Sequence, residues 1–200
     1  MNYFTMFDIL FLKKYSQIIL DLDDTLIYEK DYVYSAYQSI SDKLGENEIE
    51  SQEMFLYLKN NFDLGLRKNL FNSFIIAFDL SPLVLQCMLE ELRNGIVVGG
   101  LNLTKEGAII LDYIKKLKKE YLIITNGNPI QQANKIKQIN WDNHLQPSKV
   151  VYANEYKPKP CPEVFFALSN LKSFGKVLYI GDSEVDREFA INSGVDYYLI

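Results

Sequence analysis

The sequence predicts an α/β protein, a parallel sheet into which one block of helices is inserted. Two observations carry the prediction. Short apolar runs at residues 18–20, 121–124 and 177–180 each end in polar residues and, beyond residue 95, alternate with helical patterns. Alternating βα units make right-handed crossovers and parallel strands. Between the first run and the others, from about residue 28 to 95, only helical spacing occurs. The 200 residues are 48% hydrophobic and 24% charged, which suits a sizeable core and one domain carrying an insertion.

Taken in order, residues 4–12 are apolar but interrupted by Asp8 and followed by Lys13 and Lys14. The run is too short to span a bilayer and reads as an arm or helix packed on the domain. Ile18, Ile19 and Leu20 form an unbroken run, the pattern of a strand buried on both faces. It runs directly into Asp21, Asp23 and Asp24. A polar turn capping the strand is one reading. The other is chemical, because carboxylates are buried only when paired, and ligands of open α/β sheets sit beyond the carboxyl ends of the strands. Residues two apart on a strand face one side, so Asp21 and Asp23 can converge on one ligand.

In the insertion, Val33, Ala36, Tyr37, Ile40 and Leu44 space a helix that Gly45 would end. A shorter helix over 52–59 takes Ser51 as its N-cap. Leu66, Leu70, Phe71, Phe74, Ile75 and Phe78 make a third apolar face. Ser81 and Pro82 read as the N-cap and first position of a fourth helix. Beyond it, Thr104 caps a helix, and the strand at 121–124 ends in Thr125-Asn126-Gly127. Pro129 opens a helix to about Asn140, and a short strand follows at 150–152. Pro162 opens a helix with Val164, Phe165 and Leu168. The strand at 177–180 ends in Gly181-Asp182, the next helix covers 184–192 with Gly194 as its C-cap, and a last strand covers 197–200.

Composition excludes several functions. The net charge is −5 without a long basic run, so no nucleic-acid partner is expected. Two cysteines, Cys87 and Cys161, build no disulfide scaffold and suit a reducing, cytoplasmic setting. A single histidine, His144, rules out a histidine pair or a multi-histidine metal site. No membrane partner is expected.

Three strands thus end in polar residues that can meet at one rim: Asp21 and Asp23, Thr125 and Asn126, and Asp182 with Asp186 nearby. Between them lies Lys157-Pro158-Lys159-Pro160-Cys161-Pro162-Glu163-Val164-Phe165. These residues resemble the four motifs of the haloacid dehalogenase-like (HAD) hydrolase superfamily. Asp21-x-Asp23-x-Thr25 matches the first, Thr125 the second, Lys159 in Lys-Pro-x-Pro-x-x-Phe the third, and Gly181-Asp182-x-x-x-Asp186 the fourth. Lys157 also precedes a proline, but Pro160, Pro162 and Phe165 put Lys159 in register. The helical insertion resembles the C1 cap of subfamily I. The expected architecture is a Rossmann-like parallel sheet core, strand order 5-4-1-2-3, built from residues 1–27 and 96–200, with 28–95 as an all-helical cap.

The chemistry follows from the residue types. A carboxylate nucleophile splits phosphate-ester hydrolysis into two steps, and Asp21 is placed for that role. With no histidine at hand, Asp23 serves as general acid and then base. Crowded carboxylates require a cation, and Mg²⁺ favours oxygen ligands. The resemblance implies the Asp21 side chain, the Asp23 backbone carbonyl and Asp182 as metal ligands, with Asp186 supporting the lysine or metal-bound waters. Lys159 and Thr125 would offset charge on the phosphoryl oxygens, and the backbone N–H groups of Asn126 and Gly127 would cradle them.

Dehalogenation is disfavoured, because a halide leaves without a proton and Asp23 is present. A phosphomutase, and a non-catalytic binding domain on the same fold, are the alternatives. Under the helical cap the expected partner is a small phosphorylated metabolite, handled by a monomer or homodimer. Arg67 and Lys68 in the insertion could meet a second anionic group or remain solvated.

Overall fold

The computed structural model describes residues 9–168 and 175–200. The chain forms two compact units. The first comprises residues up to Tyr28, Asn102–Gln132 and Ile139–Ile200; the second comprises Glu29–Leu101 with Ala133–Gln138. The helical unit therefore reaches six residues past the expected limit of 95 and takes in a later segment that the sequence reading had left with the sheet.

The first unit holds a five-stranded sheet of β1 (Gln17–Leu20), β2 (Tyr121–Thr125), β3 (Lys149–Tyr152), β4 (Val177–Gly181) and β5 (Asp196–Leu199). The order is β3-β2-β1-β4-β5, every pair parallel, which is the predicted topology. Leu20 lies opposite Ile123 on one side and Ile180 on the other. Three polar strand ends are thereby set side by side. Every residue of β2 and β4 is buried, as their unbroken apolar runs require. On one face Ile19, Ile124 and Tyr179 pack with Val164 and Phe165 of α8 (Glu163–Ala167) and Phe189 of α9 (Glu184–Ser193). At the amino end, α1 (Ile9–Lys13) buries Leu12, and Lys119 Nζ donates to the Leu12 carbonyl at 2.9 Å and the Lys13 carbonyl at 3.2 Å, at the end of the short helix. Residues 4–8 of the predicted arm lie outside the described residues. α6 (Lys105–Lys116) starts as expected, with Thr104 Oγ1 accepting from Gly107 N. No helix among the described residues is long and apolar enough to cross a membrane.

The second unit is built from α2 (Glu29–Leu44), α3 (Glu48–Asp63), α4 (Leu70–Ala77) and α5 (Val84–Asn94). Two of its caps differ from expectation. Asn47, not Ser51, caps α3, its side chain accepting from Ile49 N and Glu50 N. Ser51 lies inside the helix and donates to Asp42 at 2.7 Å. Ser81 stands ahead of α5 in a turn: its side chain accepts from Leu83 N at 3.4 Å and its carbonyl from Val84 N. Gly45 follows α2, and its reason is contact: a Cβ there would stand 2.7 Å from Ser51 N. Arg67 ion-pairs with Glu29 at 2.7 Å and covers the Phe62 ring at 4.1 Å, so its charge already has partners within the unit.

Helix α7 (Pro129–Lys137) is shorter than predicted. The carbonyl of Gln138 accepts from Leu101 N at 2.8 Å instead of continuing a helical ladder. Gln138 also accepts Val97 N at its side-chain oxygen, and Asn134 and Gln138 both donate to the Gly95 carbonyl.

Candidate active site

The chain leaves β1 at Asp21, whose N–H still donates to Ile180 O at 2.9 Å. It then turns sharply. Leu26 N and Ile27 N return to Leu22 O, and Asp24 adopts a left-handed φ of 54° that a short polar side chain tolerates. Thr104 fastens the turn by donating to Thr25 O at 2.7 Å.

Asp21 is 7% exposed and Lys159 is 6% exposed. The Lys159 ammonium has three donors, and the structure directs one each to Asp21 Oδ1 at 2.6 Å, Asp186 Oδ1 at 2.6 Å and Tyr179 Oη at 2.8 Å. The Tyr179 hydroxyl lies 3.0 Å from Asp186 Oδ1 and 3.1 Å from Ile124 O. The lysine is fixed from its backbone too. Lys159 N donates to Asn126 Oδ1 at 2.8 Å, and Asn126 Nδ2 donates back to Lys159 O at 3.0 Å. Of the two competing lysines, Lys159 is thus the one at Asp21. Lys157 is exposed and pairs with Glu163 at 3.0 Å.

Asp186 opens α9 in a capping box with Ser183, which donates to its Oδ2 at 2.6 Å. The helix can begin so close to β4 only because residue 181 is glycine, where a Cβ would stand 2.6 Å from Asp186 Oδ2. Asp182 is half-buried, and its Oδ1 lies 3.4 Å from Thr25 Oγ1. Asp23 is held by Gln132 of α7, whose Nε2 donates to Asp23 Oδ2 and to Thr125 Oγ1, each at 2.7 Å. Thr125 is 1% exposed.

One expectation is corrected. Gly127 N donates to Asn154 Oδ1 at 2.8 Å, so this N–H is not presented to a phosphate; the Asn126 side chain, separately, serves Lys159. The residues that sequence reading missed are Tyr179, Gln132, Asn154 and Ser183. Only Tyr179 left a signal: a tyrosine in a fully buried strand must find a partner for its hydroxyl.

Electrostatics follow from this packing. The Asp21 carboxyl is raised to about 7: burial raises it most, Lys159 offsets part of that rise, and Asp186 and Asp23 add to it. Burial lowers the Lys159 ammonium, but Asp21 and Asp186 outweigh that and hold it above its ordinary value. Asp182 is raised by burial and then by Asp186. Carboxylate oxygens of Asp21, Asp182 and Asp186 lie within 4.8 Å of one another, a hard-oxygen donor set of the kind a divalent cation takes. Asp186 has both oxygens engaged by Lys159, Tyr179 and Ser183, which leaves Asp21 and Asp182 as the side chains that fit a cation.

A family model described as haloacid dehalogenase-like hydrolase matches residues 18–200. The chain belongs to that family. Solved structures share this HAD fold over nearly the whole chain. A protein from Thermotoga maritima described as a β-phosphoglucomutase is 16% identical, with 92% of this chain and 84% of that chain covered and a TM-score of 0.65. A protein from Bacillus subtilis described as a HAD-hydrolase, solved bound to magnesium, is 16% identical over 94% and 87% of the two chains at a TM-score of 0.64. A subfamily IA hydrolase of the superfamily from Geobacter sulfurreducens is 19% identical over 93% and 87%, at a TM-score of 0.51. No curated protein matches the chain.

Proposed function

We propose that this HAD hydrolase is a phosphatase, hydrolysing a small phosphate monoester through a phospho-Asp21 intermediate with Mg²⁺ as cofactor. One observation carries the reading. Two carboxylates two residues apart have different surroundings: Asp21 is buried on Lys159, while Asp23 is held by a neutral amide. Paired carboxyls in unlike environments suit unlike roles.

An oxygen of Asp21 attacks phosphorus as the bond to the leaving alkoxide breaks, and Asp23 gives that alkoxide its proton. Asp23 then takes a proton from water, whose oxygen displaces Asp21 from phosphorus and restores the carboxylate. The Lys159 ammonium and the Thr125 hydroxyl offset charge on the phosphoryl oxygens. The Asp21 and Asp182 side chains and the Asp23 backbone carbonyl would hold Mg²⁺, with Asp186 supporting Lys159. Mg²⁺ when bound supplies charge neutralisation at the phosphoryl oxygens. The substrate is a small phosphorylated metabolite, the setting cytoplasmic, the chain a monomer or homodimer, and neither nucleic acid nor membrane is a partner.

Phosphate release from an aryl phosphate, and then from a panel of phosphorylated metabolites, tests the reading. Activity should require Mg²⁺ and vanish in excess chelator; full activity in chelator would sink the metal assignment. A phosphomutase is the second reading, favoured by the Thermotoga likeness. It would return a phosphate isomer of the substrate in place of free phosphate.

The raised carboxyls give a stability prediction. Asp21 keeps its proton below about 7 in the folded chain, and Asp182 is also raised. In the unfolded chain an Asp loses its proton near a pKa of about 3.9. Their contribution to stability is therefore present at low pH and falls as pH rises through the folded values. Mg²⁺ binds the ionised acids, so its stabilisation should grow over the same window. Thermal melts at pH 5 and pH 8 should show a larger Mg²⁺ shift at pH 8; equal shifts would contradict it.

Asp23→Asn should slow an alkyl phosphate by about 10²–10⁴-fold, the scale of a lost general acid. A fluorinated aryl phosphate needs no such proton, so the variant should show a burst of phenol followed by slow turnover. No burst and no leaving-group dependence would refute the acid–base role.

A further inference from the structure

We infer that Gln132 is a positioning residue that sets the proton geometry of the phosphatase site, by holding Asp23 and Thr125 with one amide group. The inference rests on the proposed acid–base role of Asp23 and adds to it a residue outside the four motifs.

Gln132 is 2% exposed, and each of its two Nε2 protons has a partner at 2.7 Å: Asp23 Oδ2 and Thr125 Oγ1. With Asp23 ionised the amide must present Nε2 to it, since turning it would set Oε1 against a carboxylate, which accepts only. The side chain is fixed from outside as well. Asn128 Oδ1 caps the first turn of α7 by accepting from Ile130 N at 3.0 Å and Gln131 N at 3.3 Å. Gly127 packs over the amide, where an added Cβ would lie 3.2 Å from Gln132 Cδ.

Two consequences follow for the reaction. An oxygen that accepts an amide N–H is a poor place for a proton, so protonated Asp23 carries its proton on Oδ1. That proton passes to the leaving alkoxide as its bond to phosphorus breaks and the Asp21–phosphorus bond forms. A threonine oxygen that accepts from Gln132 must turn its own O–H elsewhere, and the hydroxyl stays a donor. In this structure it lies 3.2 Å from Asn126 O. A phosphoryl oxygen would take that place.

The test is Gln132→Met, which keeps length and removes both donors. Its readout is the ratio of alkyl phosphate to activated aryl phosphate turnover, measured in the wild-type and Asp23→Asn backgrounds. Misplacing a reacting group by about 1 Å can cost 10²-fold, so the ratio should fall by about 10-fold or more in Gln132→Met. It should fall no further when Asp23 is already asparagine. A packing role would instead lower both substrates equally in both backgrounds, and that result overturns the inference. If Asp23→Asn shows leaving-group dependence and Gln132→Met does not, this inference alone fails. If Asp23→Asn shows none, the acid–base reading fails and takes this one with it. Should Gln132→Met not fold, Gln132→Glu retains the volume, cannot donate when ionised, and is read by the same ratio.

Discussion

Asp21→Asn should release no phosphate from any substrate and should form no phosphoryl-enzyme. Loss of a covalent nucleophile lowers turnover on the order of 10⁶-fold in enzymes that work through one. Here the substitution removes more than the attacking oxygen. Asp21 Oδ1 receives Lys159 Nζ at 2.6 Å, and Asp21 belongs to the acidic group that fits a cation. An amide placed there carries no charge for the ammonium and is a poorer magnesium ligand. Binding of a substrate analogue should weaken together with turnover. Denaturing gels after rapid mixing with ³²P-labelled substrate would show label in wild type and none in the variant. Label retained in Asp21→Asn would move the nucleophile to another residue.

Much of this site was legible from sequence because its residues terminate buried strands. β2 and β4 are buried along their whole length and β1 from Ile18 to Leu20, each on a mainly apolar run, so the polar residues that end them stand out. The edge strands were less legible. β5 begins with exposed Asp196 and carries two adjacent half-exposed tyrosines, a pattern that a turn can share. Helix starts were misread for a physical reason. Ser51 and Ser81 have the chemistry of a cap, but Asn47 lies closer to the true start of α3, and Ser81 instead makes a turn before α5. The supporting residues were illegible because their bonds are long-range. Gln132 is 109 residues from Asp23, and Asn154 is 27 from Gly127. The motifs say which residues react. They say nothing of the amide and the phenol that hold those residues still.

Lys159→Met should be strongly destabilising, and it should also lower activity sharply. The ammonium sits between Asp21 and Asp186, with side chains of 3%, 10% and 2% exposure respectively. Removing one partner of a buried ion pair costs about 3–5 kcal/mol, because the remaining charge is left without compensation. The loss has a pH signature whose sign can be worked out. In wild type the lysine is charged far above neutrality, so its own charge does not change between pH 5 and pH 8. In the variant Asp21 loses the group that pulls its carboxyl down, so it rises above the wild-type value of about 7. An acid raised in the folded state contributes its stability below the unfolded value, about 3.9 for Asp, and loses it as pH climbs through the folded value. Measured without Mg²⁺, the urea midpoint of Lys159→Met should therefore lie nearer to wild type at pH 5 than at pH 8. Activity should fall by about 10²–10³-fold or more, the scale of one electrostatic stabiliser of the transition state. Lys157→Met is the control: Lys157 is exposed on Glu163, so neither the urea midpoint nor turnover should change. A Lys159→Met protein as stable as wild type at pH 8, or a Lys157→Met protein that loses activity, would reverse the assignment of the two lysines.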